Sequence, residues 1–165
     1  MARPKRRELE EALLTLETTP LLLQKLAASR TAGNHRPLVL ELSRMAGRES
    51  ELWGRFIEQV VRPGATPALP FEDPAGADLF VAVNRFAAAR RRNLRRLRRV
   101  PGAAWSQTAR LQDGRTLSVS ELPAAMAEAD RKSLAEISRL AAPAPRRDSR
   151  DQIPFNSASP EPALR

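Results

Sequence analysis

The chemistry open to this chain is set first by what it lacks. It contains one histidine, His35, and no cysteine, which removes thiolate nucleophiles, thiolate metal sites and disulfides together. A serine nucleophile needs a neighbouring base, and Ser106, Ser118, Ser120 and Ser133 have no histidine near them in the sequence. His35 falls in a connector between two amphipathic stretches, where an exposed loop histidine is the ordinary expectation rather than a ligand or a base. The pair Asp113-Gly114 suits a tight turn, and it lacks the lysine and glycine spacing of a phosphate-binding loop.

Two sets of charged residues remain. Glu49 lies near an apolar stripe, and Glu49 and Asp130 are the acidic pair that could line a polar cavity, as oxygen ligands to a hard cation or as partners in a structural salt bridge. The stretch Arg90 to Arg99 holds seven arginines, Arg90, Arg91, Arg92, Arg95, Arg96, Arg98 and Arg99, broken by Asn93, Leu94 and Leu97. On a helix this gives a broad cationic surface with a narrow apolar seam. Its functional meaning would be anion binding through nucleic-acid phosphates. The commoner meaning of such a run is a solvated face in an arginine-rich chain.

Composition points the same way without deciding. With 28 Lys and Arg against 19 Asp and Glu the formal charge is +9, so nucleic acid or an acidic membrane surface must be considered as a partner. Two tryptophans, five phenylalanines and no tyrosine make a poor platform for stacking single-stranded bases; Trp53 and Trp105 are expected to fill the core and brace a loop. The basic start, Met1 to Arg7, runs into Glu8, Glu10 and Glu11 where a signal peptide would place its apolar core. No apolar run approaches the roughly 20 residues of a membrane span. The expectation is a cytoplasmic protein that does not enter the membrane.

The elements that must position these groups follow from apolar spacing. Leu9, Leu13, Leu16 and Leu23 recur at helical intervals after Pro4, and Pro20 should kink or divide that helix. Leu38, Leu42, Met45, Leu52, Phe56 and Val60 form a second stripe that stops before Pro63 and Gly64. A loop rich in proline and glycine covers residues 62–76, and Leu79, Val83, Phe86, Leu94 and Leu97 mark a third helix ended by Pro101 and Gly102. Trp105 to Leu117 reads as a connector that can hold a short hairpin. Ser118 and Glu121 fit a capping box, so the fourth helix is predicted to start there, burying Leu122, Met126, Ala129, Ser133, Ile137 and Leu140. Four such helices bury their faces by packing together, which predicts an all-α four-helix bundle over residues 1–142. Residues 143–165, rich in proline, serine and arginine, are predicted to be a disordered tail.

In the order of its motifs the chain resembles the DinB-like superfamily of bacterial four-helix bundles over about residues 8 to 141, an order of elements read from periodicity. The resemblance rests on Trp105, the Gly114 turn, Ser118 and Glu121, then Ala129, Asp130, Ser133, Leu134, Glu136 and Ile137, where the family pattern runs tryptophan, glycine turn, capped helix, His-Asp-x-x-His-Leu. A weaker part lies at Glu49, Trp53 and Arg55, followed by Pro67, Ala68, Leu69 and Pro70. The family includes metal-dependent hydrolases and thiol-dependent transferases, and its typical member binds a divalent metal such as zinc or nickel through one histidine of the second helix and two of the fourth.

At the matching positions this chain has Arg44 or Met45, Ala129 and Ser133. An alanine has no lone pair, a guanidinium is no ordinary ligand and a serine hydroxyl is a poor donor to a transition metal. The resemblance therefore implies the bundle without its metal: a noncatalytic member that binds a small molecule or a partner, with no cofactor. The alternatives are a hydrolase or transferase working through Glu49, Arg44 and Asp130, and a nucleic-acid-binding protein using the Arg90–Arg99 helix. Arg44 is expected to reach the emptied pocket and pair with Asp130 or Glu49, guanidinium charge standing in for metal charge. Homodimerisation through an exposed apolar flank is a further expectation.

Overall fold

A computed structural model describes residues 6–30, 35–61, 78–111 and 113–142; the expectations that touch Pro4, the loop over residues 62–76 and the tail over residues 143–165 lie outside them. The chain is mostly helical. The first helix, α1 (Arg6–Ala28), follows the leucine spacing: Leu16 and Leu23 are buried, Leu9 and Leu13 half-buried. It continues through Pro20 and is not divided. Proline has no N–H to donate to the carbonyl four residues back, so the Leu16 carbonyl loses its helical partner.

The second helical stretch is continuous from Arg36 to Val61 and changes pitch inside: α2 (Arg36–Gly47), a π-helical segment (Arg48–Trp53) and α3 (Gly54–Val61). A π turn adds a residue to the repeat and rotates the face that follows. Glu49 and Trp53, four and eight residues after Met45, lie in the interior, while Leu52 stays half-buried. His35, expected to be exposed, is half-buried at the start of α2, where its carbonyl accepts the Val39 N–H at 2.9 Å.

The third long helix, α4 (Leu79–Leu97), begins at Asp78, whose carboxylate accepts the Val81 N–H at 2.8 Å as an N-cap. A 3-10 turn (Gly102–Ser106) leads into a two-stranded antiparallel hairpin, β1 (Thr108–Arg110) and β2 (Thr116–Ser118), with Ala109 opposite Leu117. Gly114 closes its turn at φ 87°, a conformation that costs a glycine nothing. Trp105 is half-buried and donates its indole N–H to the Val100 carbonyl at 3.3 Å, bracing this connector.

The last helix, α5, runs Leu122–Ala141 and starts four residues later than the capping box predicts. Ser118 ends β2, so its hydroxyl cannot serve as the cap. Only the carboxylate half of the motif forms: Glu121 accepts both the Ser118 N–H and its hydroxyl at 2.8 Å, which holds the Glu121 carboxyl below the usual carboxylate range. Pro123 falls in the first helical turn, where the missing N–H has no helical acceptor to satisfy.

α1 and α2 each pack against both α4 and α5. The interior they enclose is divided into two apolar clusters. One gathers Leu16, Trp53, Phe56, Ile57, Leu94, Leu97 and Met126 with side chains of the connector. The other gathers Leu23, Leu42, Met45, Val83, Phe86 and Ile137. Between the two clusters lie buried polar residues on each of these helices: Glu49 on the α2 to α3 stretch, Arg90 with Asn93 on α4, where Ala87 and Ala89 are also buried, and Asp130 with Ser133 on α5. No helix among the described residues is long and apolar enough to cross a membrane.

Candidate functional site

The polar layer is built around Arg90. Its position on α4, four residues after Phe86 and four before Leu94, puts it on the inward face, and it is 1 % exposed. The expectation that all seven arginines of the run face solvent therefore fails at its first member. A buried guanidinium carries five donors and a full charge, and both must be answered inside the protein.

Asp130 of α5 answers most of it. Arg90 Nη1 donates to Asp130 Oδ2 at 2.7 Å and Nη2 to Oδ1 at 2.8 Å, the two-pronged geometry that suits a planar guanidinium to a carboxylate. Nη1 also lies 3.3 Å from the Leu16 carbonyl oxygen, the acceptor that Pro20 leaves without a helical donor. The proline in α1 and the arginine in α4 thus complete one another. Arg90 also sits over the Phe86 ring, 5.0 Å from its centroid.

Glu49 completes the cluster from the π-helical segment. Its Oε1 lies 2.9 Å from Arg90 Nε, yet that N–H has no aligned hydrogen-bond acceptor, so the contact is ionic only. Asn93 Nδ2 donates to the Glu49 carbonyl at 2.6 Å and to Oε1 at 3.0 Å. Gly54 keeps this approach open, since an added Cβ would stand 3.2 Å from the Glu49 carbonyl oxygen and 3.4 Å from Asn93 Oδ1. One guanidinium consequently links all four helical stretches: Leu16, Glu49, its own α4 and Asp130.

The electrostatics of the layer are unequal. Burial pushes the Glu49 carboxyl above its ordinary value; the adjoining Arg90 guanidinium and the Asn93 hydrogen bond offset this in part, and Asp130 adds to the rise. Burial also opposes charge on Arg90, but the two carboxylates outweigh it and keep the guanidinium protonated. The sign for stability follows. A carboxyl whose folded pKa is raised takes up its proton more readily in the folded state, so its contribution is fully present below the ordinary value of 4.5 and is lost as pH rises through the raised value. Glu49→Gln, neutral at every pH, is therefore expected to gain stability relative to wild type as pH climbs from about 4.5. Urea unfolding of both proteins across that range measures the difference; a gap independent of pH contradicts the shift.

Arg44 does not enter this layer. Its side chain is 65 % exposed and pairs with Glu41 at 3.4 Å. Three residues apart from Glu41 on α2, it points outward, because Leu42, Met45 and Ala46 take the apolar face. Arg90 fills the place expected of Arg44, between Glu49 and Asp130. The positions that the resemblance makes metal ligands are likewise occupied by other contacts. Met45 is buried in the second apolar cluster. Ala129 is half-buried against the first, and Asp130 takes the central inward position predicted for it. Ser133 is buried and donates to Glu41 Oε1 at 2.8 Å, while Arg48 donates to the Ser133 hydroxyl.

This donor set does not fit a divalent cation. The two acids nearest the layer's centre, Glu49 at 1 % and Asp130 at 4 % exposure, already face a fixed positive charge. Among the described residues no three His, Asp or Glu side chains converge as a ligand group. A reaction through Glu49, Arg44 and Asp130 has no geometry here, since Arg44 lies on the far side of its helix and the acids are closed off from solvent.

The remaining arginines of the run separate into two groups. Arg96 pairs with Glu58 at 3.0 Å and Arg98 with Glu17, both joining α4 to neighbouring helices. Arg91, Arg92, Arg95 and Arg99 stay exposed, and with Ala88 and Arg96 they line a surface depression of about 450 Å³. Apolar side chains also reach solvent on α1, at Leu14, Leu21 and Leu22, and at the start of α4, at Phe80 and Val81. Compared with family models, with curated proteins and with solved structures, the chain has no match.

Proposed function

We propose that this protein is a diverged DinB-like four-helix bundle that works by binding and performs neither metal-dependent hydrolysis nor thiol transfer. The observation that carries the reading is the buried Arg90, which holds Asp130 two-pronged beside Glu49 at mid-height between the two apolar clusters. In bundles that use a metal, this central level between facing helices is where ligands project inward. Here a guanidinium supplies the positive charge that would otherwise come from an ion, and it needs no exogenous group to do so. The carboxylates it holds have neither access to a substrate nor freedom to move a proton to one.

Metal analysis of the purified full-length protein, followed by zinc and nickel titration with melting temperature as the readout, tests the reading. A ligand bound only by the folded state adds about 2.7 kcal/mol of stability at a concentration 100 times its Kd, so a real site is plainly visible. The expected result is less than stoichiometric metal and an unchanged melting temperature. One metal per chain that survives dialysis and raises the melting temperature overturns it.

A further inference from the structure

We infer that the outer face of α4 is a docking surface for the phosphate backbone of a nucleic-acid duplex. The inference goes beyond the proposed loss of metal chemistry and does not need it to be correct. Arg85, Arg91, Arg92, Arg95 and Arg99 are all exposed. They recur at intervals of four and seven, Arg91 to Arg95 to Arg99 and Arg85 to Arg92 to Arg99, which places them on one side of the helix. None of the five has an ion pair among the described residues.

Other helices of the same protein show what a merely solvated face looks like here. On α5, Glu128 pairs with Arg131 at 2.6 Å and Lys132 at 3.7 Å, and Glu136 pairs with Arg139. On α1, Arg7 pairs with Glu11 at 2.9 Å. Those surfaces alternate sign and neutralise themselves. From Leu79 to Arg99 α4 and its end contain no Asp or Glu at all, so neighbouring guanidiniums four residues apart repel without relief. The three arginines of the run that meet carboxylates, Arg90, Arg96 and Arg98, find them on other helices. The outward five leave a field that an external polyanion would relieve.

Chemistry selects the occupant. The run contains arginine and no lysine, and the planar guanidinium fork matches phosphate oxygens in two-pronged fashion. From Arg85 to its end at Leu97 the helix rises about 18 Å, with Arg99 in the turn just beyond, enough to follow roughly five base pairs at about 3.4 Å each. A single strand would be gripped by several stacked aromatics, but Trp53, Phe56 and Phe86 are buried, Trp105 is tied to the Val100 carbonyl, and the exposed Phe80 at the start of α4 offers one ring alone, five residues before Arg85. An anionic membrane surface favours a helix with large apolar residues opposite its basic face and free to insert. Leu94 and Leu97 are instead consumed by the core, and the exposed apolar residues of α4, Phe80 and Val81, lie at its start, ahead of the arginines rather than opposite them.

Fluorescence anisotropy with a mixed-sequence duplex across salt concentrations tests the assignment. Five neutralised phosphates at about 0.9 each give a log–log salt slope near −4.5, or roughly a 500-fold loss of affinity between about 50 and 200 mM salt. The variant R91A/R92A/R95A/R99A is expected to bind at least about 100-fold more weakly at low salt, with a slope near −1. It should melt no lower than wild type, because the substitutions remove repulsion. R91K/R92K/R95K/R99K keeps the charge and should retain most of the affinity. A control with the same charge change on other surfaces, R7A/R110A/R131A/R139A, should bind nearly as wild type. The assignment is overturned by absence of duplex binding at low salt, by equal loss in the control, by tighter binding of oligothymidine than of duplex, or by binding to phosphatidylserine vesicles alone. None of these results bears on the metal titration, so the two readings fail separately.

Discussion

Replacing Arg90 with methionine is expected to lower the unfolding free energy by about 3–5 kcal/mol, the range for removing one partner of a buried ion pair. The loss arises less from the missing attraction than from what stays behind. Asp130, 4 % exposed, loses both Arg90 donors that its carboxylate oxygens accept, and the Leu16 carbonyl loses the Arg90 N–H where Pro20 cannot supply one. Arg90→Lys should recover only part of the deficit, since an ammonium offers a point charge where Asp130 meets a fork. Urea denaturation of the three proteins at neutral pH measures both effects. A loss below about 1 kcal/mol for methionine would mean that the pair forms at the surface of the energetics rather than at its centre.

Phe86→Ala is expected to cost about as much, 3–5 kcal/mol, for a different reason. Phe86 is 1 % exposed in the second apolar cluster, so truncation leaves a cavity. It also removes the ring face on which Arg90 rests. Phe86→Leu separates the two contributions by keeping most of the volume and losing the ring. Phe56→Leu supplies the comparison, because Phe56 is equally buried, at 2 %, but lies in the first cluster. Phe86→Leu should be the more damaging by about 2 kcal/mol, the size of a desolvated cation–π contact. Equal losses in the two leucine variants would remove the ring from the account of how Arg90 is held.

The helices were legible in the sequence because their apolar spacing survives burial: Leu16 and Leu23, then Leu38, Leu42, Met45, Phe56 and Val60, then Leu79, Val83, Phe86, Leu94 and Leu97, then Leu122, Met126 and Ile137 lie inward where the period puts them, whereas Leu52 and Ala129 stop half-buried. The hairpin was foreshadowed by Asp113-Gly114, and the N-cap at Asp78 stands one residue before the third stripe. The boundary of α5 was missed because a Ser-x-x-Glu pattern also suits a turn in which the carboxylate takes both serine donors. The π segment was not foreseeable, since an i to i+5 turn has no compositional mark.

The polar centre was half legible. Glu49 and Asp130 were singled out, and a guanidinium between them was anticipated, but from the wrong helix. The clue was a gap in the third stripe: Leu79, Val83 and Phe86 step by three and four residues, and the next step lands on Arg90 before Leu94. Asp130 fills the corresponding gap between Met126 and Ser133, and Glu49 the one after Met45. Three interrupted stripes carrying one basic and two acidic residues imply a buried ion cluster. Seven arginines in one run concealed it, because a surface origin explains six of them.

The central claim is that Arg90 and Asp130 form the mutually dependent pair of the polar layer, with the Leu16 carbonyl and Glu49 as further partners of the same guanidinium. Its most direct test is equilibrium denaturation of wild type, R90M, D130L and R90M/D130L. If Arg90 and Asp130 chiefly answer one another, the singles each lose about 3–5 kcal/mol and the double variant loses less than either, about 1–3 kcal/mol, because the Leu16 carbonyl and Glu49 still miss the guanidinium. If the losses add, leaving the double variant less stable than either single, the two residues do not depend on one another and the account is contradicted.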